Sequence, residues 1–222
     1  MKNHIKFWLI LSCFAGASAA YGQLITAFQN DAGTVGAQSG DGPWALGNDF
    51  TVNSPIIITE LGAFDSGSDG IFSSPVSVAI YNADTQQLVS PVVSFSTASP
   101  GTAAGGSRFK YLGVAITLPA GFHGSVVGAN YGGPGGEPDG NVVSQASQWS
   151  FNDGGGQLTL GSDGRFSLSP TMAYPSSEYA NGGSPAFAAG TFVYTTVPEP
   201  TEYAAVAGLA LISFSAWRRI RR

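Results

Sequence analysis

Between residues 23 and 197 no stretch of twelve residues carries a helical apolar stripe, and that absence constrains the fold more than any other feature. Apolar runs are short, rich in β-branched and aromatic residues, and broken by Gly, Pro, Asn or Asp about every ten residues. Such punctuation leaves room for strands and turns, not for amphipathic helices, so the expected class is all-β and antiparallel. Strands are predicted at 24–28, 48–52, 56–64, 76–81, 88–96, 109–118, 124–129, 157–160 and 186–194. In Val76-Ser77-Val78-Ala79-Ile80 the larger apolar residues alternate, the mark of a half-buried strand. Asn82 and Asp84 before Leu88 suit a hairpin turn, and Pro119-Ala120-Gly121 suits another. The glycine-rich segments at 132–136, 154–156 and 161–164 are expected to be loops. The block from 56 to 131 is loosely similar to jelly-roll β-sandwich modules, a likeness of fold alone.

Composition separates this chain from a disordered one. Hydrophobic residues make up 43%, with 14 Phe, 8 Tyr and 4 Trp, enough for a core despite 31 Gly and 13 Pro. Charge is unevenly distributed. Six of the nine basic residues lie near the ends, which leaves Arg108, Lys110 and Arg165 for the body. These three face twelve acids between Asp31 and Glu178, a formal body charge of −9. A surface so negative repels a phosphate backbone, so nucleic acid is not an expected partner.

The two ends differ from the body. Lys2, His4 and Lys6 precede an apolar run at 7–15, and small residues follow at 16–20. That order predicts a secretory signal peptide over 1–19, with Ala17 and Ala19 at the small positions before a cut at Ala20. A second register would place the cut after residue 22. Cys13, the single cysteine, sits inside this run, so the mature protein has no disulfide and no thiolate metal site. Phe14 and Ala15 continue the apolar stretch past it, which argues against a lipid-modified cysteine.

At the other end, 197–222 begins with Pro198-Glu199-Pro200, continues with an uncharged run at 203–217, and closes on Arg218, Arg219, Arg221 and Arg222. The prolines are expected to hold an extended stretch ahead of a helix. A helix over 203–217 is read as transmembrane although it spans only about 22 Å, with Tyr203 and Trp217 at the interfaces. The basic cluster would stay cytoplasmic, which leaves the body outside and agrees with the signal peptide. In order, spacing and terminal position this tail resembles a PEP-CTERM sorting signal. The resemblance implies recognition by an exosortase and processing near the motif. It also implies a Gram-negative producer of extracellular polysaccharide, with an inner-membrane intermediate destined for the cell surface or matrix.

Between those ends, residues 20–196 are expected to form one sandwich domain with a structural or adhesive role. The alternative is a carbohydrate-binding module, with calcium as its stabiliser, that holds exopolysaccharide at the cell surface. Asp65 and Asp69, in the loop Asp65-Ser66-Gly67-Ser68-Asp69-Gly70, are the calcium ligands this alternative would use. Position twelve of that loop is Val76, so it is not an EF-hand. Trp44, Trp149, Tyr131 and Tyr174 are the aromatic residues that could stack on sugar rings. His123 is the single histidine outside the signal segment, no nucleophile-elbow motif accompanies it, and no enzymatic activity is expected.

Overall fold

The computed structural model describes residues 22–36, 43–132, 149–179, 187–197 and 200–220. Among them the strands run β1 (Ile25–Thr26), β2 (Phe28–Asn30), β3 (Trp44–Val52), β4 (Ile56–Phe64), β5 (Val76–Asn82), β6 (Val93–Phe95) and β7 (Thr102–Ala104). They continue with β8 (Ser107–Leu118), β9 (His123–Tyr131), β10 (Trp149–Phe151), β11 (Leu158–Leu168), β12 (Ser177–Tyr179) and β13 (Gly190–Thr196). A helix, α1 (Pro200–Ile220), follows. Residues 24–196 form one compact unit, to which α1 does not belong.

The all-β, antiparallel expectation is met. One sheet has the order β1-β13-β4-β8-β7, a second the order β12-β11-β3-β9-β5-β6, and β2 pairs with β10. β3 and β4 follow each other in the chain yet lie in different sheets, and so do β8 and β9. Since β3 pairs with β9 and β4 with β8, one antiparallel ribbon passes from the first sheet to the second. The β8–β9 connection is a tight turn. Phe122 N donates to the Pro119 carbonyl at 3.2 Å, and Gly121 takes the positive φ of 79° that the Pro119 turn needs.

One apolar cluster draws on both sheets. Leu46, Phe50 and Val52 of β3 meet Ile56, Ile58 and Leu61 of β4, Val78 and Ile80 of β5, and Phe192 and Tyr194 of β13. Each large side chain so buried contributes roughly 1.5–3 kcal/mol of transfer free energy. Of the continuous run Ile56-Ile57-Ile58, the first and last are buried and Ile57 is half-buried, as pleating requires.

Several expectations need correction. The predicted strand at 24–28 divides at Ala27, so that β1 joins the five-stranded sheet and β2 pairs with β10. Within 88–96 only Val93–Phe95 is a strand. The glycine-rich segment 161–164 is not a loop. It lies within β11 as a bulge between Leu160 and Gly164, opposite Asp49. A Cβ at Gly161 would stand 2.8 Å from the Asp49 Cβ, so the glycine serves close approach of two strands there and not a turn. Pro200 does not hold the chain extended. It is the first residue of α1, where its missing N–H is no loss.

The helix predicted at 203–217 is present and longer, but among the described residues no helix is long and apolar enough to cross a membrane. Glu202 near one end and Arg218 and Arg219 near the other confine the uncharged run to about 22 Å, against about 30 Å of hydrocarbon. The transmembrane reading is therefore not met. Pro198, Glu199, Arg221, Arg222 and the cleavage residues Ala17, Ala19 and Ala20 lie outside the described residues.

Candidate functional site

The six-stranded sheet has a second face, turned away from the main cluster. Pleating along β3 places Ala45, Gly47, Asp49 and Thr51 on it, and the β9 register sets Val127, Ser125 and His123 opposite the last three. Toward one end this face is small and apolar. Ala45, Ala79, Val127, Ala129 and Tyr81 form a minor cluster on which Met172 and Tyr174 pack. Toward the other end it becomes polar and opens into a recess of about 250 Å³ walled by Asp49, Thr51, Asp84, His123, Gly161 and Arg165.

Arg165 organises the wall. Its Nε donates to Asp49 Oδ2 at 2.6 Å, its second nitrogen lies 3.3 Å from Glu178 Oε1, and its guanidinium carbon sits 5.3 Å from the centre of the Tyr174 ring. Burial works against the Arg165 cation, but the hydrogen bond it donates to Asp49 and that residue's charge outweigh it, with help from Tyr174 and Glu178. The guanidinium is held charged above its ordinary range. Tyr174 in turn stands edge-on to Tyr81 with ring centres 5.7 Å apart. Burial and then the Asp49 charge push the Tyr174 hydroxyl upward, against the opposing pull of Arg165. Burial alone raises Tyr81.

On the opposite wall, His123 Nδ1 lies 3.1 Å from Asp84 Oδ1, with side chains 53% and 63% exposed. Asp84 is held at the rim by the hairpin that the sequence predicted. There Asn82 N donates to the Gln87 carbonyl at 2.9 Å and Thr85 N to Asn82 Oδ1 at 2.8 Å. Beneath the rim the polar accounting is incomplete. Among the described residues Asp49 Oδ1, Ser125 Oγ and the Tyr174 hydroxyl are buried without a hydrogen-bond partner, and Ser125 is 0% exposed.

The calcium candidates are placed elsewhere. Asp65 is 1% exposed and accepts from Arg108 Nε at 2.6 Å and from Gly70 N at 2.9 Å. Its charge is matched by an arginine and its oxygens are occupied, so Asp65 is a structural anchor for the loop. Asp69 accepts from Ile71 N at 2.8 Å in a local turn. Among the described residues no three His, Cys, Asp or Glu side chains converge as a metal site would need.

Of the aromatic candidates, Trp149 and Tyr131 are buried in the main cluster, and Trp44 packs against it. Tyr174 alone reaches the recess, through Arg165. The sequence reading missed Asp49, Asp84, His123 and Arg165 as a group. Asp49 did offer one signal, since it is a charged residue inside a predicted strand, at a position pleating puts opposite the core.

No protein-family model matches this chain. Over 111 residues, 50% of its length, it is 31% identical to UDP-GalNAc:beta-1,3-N-acetylgalactosaminyltransferase 2 of Xenopus laevis. Over 107 residues, 48% of its length, it is 31% identical to the protein of that name from Xenopus tropicalis. The chain spans about a fifth of the length of these curated relatives, 21% and 20% respectively.

Proposed function

We propose that this chain is an exported surface or matrix protein, structural or adhesive in role. In this reading its body is a jelly-roll-like sandwich and its last 26 residues are a PEP-CTERM-type sorting signal handled by an exosortase at the inner membrane of a Gram-negative cell. The observation that carries the reading is the form of the tail. α1 begins at Pro200, directly after Pro198-Glu199, and runs to Arg218 and Arg219, while residues 24–196 stand as a unit without it. In this reading the tail is the part that the sorting enzyme recognises and removes, and residues 24–196 are the part that is kept.

Replacing Pro198, Glu199 and Pro200 together by alanine tests this in the producing cell. Intact mass of each fraction should show the variant retained with its tail, whereas the unaltered protein loses residues after about Pro200 and reaches the medium or outer surface. Normal release of the variant would overturn the sorting assignment.

A second reading of the body, carbohydrate binding, is favoured by one observation, the polar recess with Asp49, Asp84, His123 and Arg165 on its walls. A body that binds glycan would hold exopolysaccharide at the surface to which the tail directs it. The transferase activity named for the Xenopus proteins belongs to chains of which the match covers about a fifth, and it is not part of this reading.

A further inference from the structure

We infer that the recess beside β3 and β9 binds one neutral sugar residue of a glycan, with Asp49 and Asp84 accepting from its hydroxyls and Arg165 and His123 donating to them. The inference rests on the carbohydrate-binding reading of the body and gives that reading an address.

Size limits the occupant first. About 250 Å³ lies below the usual range for drug-sized ligands and suits a single ring. Charge limits it next. Asp49, Asp84 and Glu178 outnumber Arg165 in a body already strongly acidic, so phosphate, sulfate and uronate groups meet repulsion.

The pattern of donors and acceptors then selects hydroxyls. A sugar hydroxyl both donates and accepts, and two neighbouring hydroxyls want an acceptor beside a donor. The recess supplies that pairing twice, Asp49 with Arg165 at 2.6 Å and Asp84 with His123 at 3.1 Å. Each member is already oriented by its partner. Arg165 is fixed from three sides by Asp49, Glu178 and the Tyr174 ring, so little side-chain freedom is lost when a ligand arrives. The Asp84–His123 pair, more than half exposed, gives the entry side.

The test titrates the full chain, isotopically labelled, with methyl glycosides of glucose, galactose and mannose, and separately with sodium glucuronate and calcium chloride. The His123 imidazole resonances are the readout. At least one neutral glycoside should shift them with a dissociation constant near ~1 mM, and glucuronate should not. Asp84→Asn, at a side chain too exposed to matter for folding, should weaken that binding about tenfold by calorimetry with Tm unchanged. No shift from any neutral glycoside, a response to calcium or glucuronate instead, or affinity untouched by Asp84→Asn would each overturn the assignment. Retention on a polysaccharide gel separates the two levels. A chain retained while the recess stays silent binds glycan elsewhere, which sinks this site and spares the wider reading; a chain that is silent and unretained sinks both.

Discussion

Arg108 and Asp65 meet at 2.6 Å with the carboxylate buried, and Gly70 N and the Ser68 carbonyl complete the arrangement. Removing one partner strands the other charge inside the fold, so Arg108→Ala should cost about 3–5 kcal/mol in urea unfolding. Chelation by EDTA should leave that unfolding curve where it was, since an arginine matches the carboxylate. The loop itself was legible from its Asp, Ser and Gly content. Its partner was not, because Arg108 lies 43 positions along the chain and nothing local to residues 65–70 announces a cation.

Tyr194 shows a residue-level effect with a sign. Its hydroxyl donates to the Asn152 carbonyl at 3.2 Å, and burial first, then Asp153, raises its pKa above the ordinary tyrosine value. Above about pH 10 the unfolded tyrosine sheds its proton while the folded one keeps it. Stability present below about pH 10 is therefore lost as pH rises. Tyr194→Phe should give a flatter alkaline limb in a plot of unfolding free energy against pH, at a cost near neutrality of about 1 kcal/mol.

At the scale of elements, Gly62 in β4 is a packing position. A Cβ there would stand 2.5 Å from the Phe109 ring of β8 and 2.6 Å from Thr191 Cγ2 of β13. Gly62→Ala should therefore destabilise by about 1–3 kcal/mol, and Phe109→Leu in the same chain should recover part of the loss in a double-mutant cycle. Strands with strong local signals were read well. β4 matches its predicted span, and β5, β8 and β9 differ from theirs by at most two residues at any end. The three-residue strands β7, β10 and β12 were missed, since nothing of that length has a periodicity to detect. β11 was cut short because its internal glycines mean turn in isolation and close approach in the sheet. The recess escaped for a related reason. Asp49, Asp84, His123 and Arg165 come from four separate segments, and only strand order brings them together.

For the whole molecule, the same topology that hid the recess ties the ends of the body together. β1 lies against β13, with Ile25 opposite Tyr194, and β13 is bonded on its other edge to β4 along its whole length. The first and last strands of the body are thus neighbours, and the last of them leads straight into the segment toward α1. Were the chain held at a surface by its tail, as proposed, the body would be pulled as well as placed. A load applied to Thr196 along the strand runs down β13 between two neighbours, so the ladder must slide as a block instead of opening one rung at a time. A body held by this end would carry tension in shear, the geometry in which hydrogen bonds share a force.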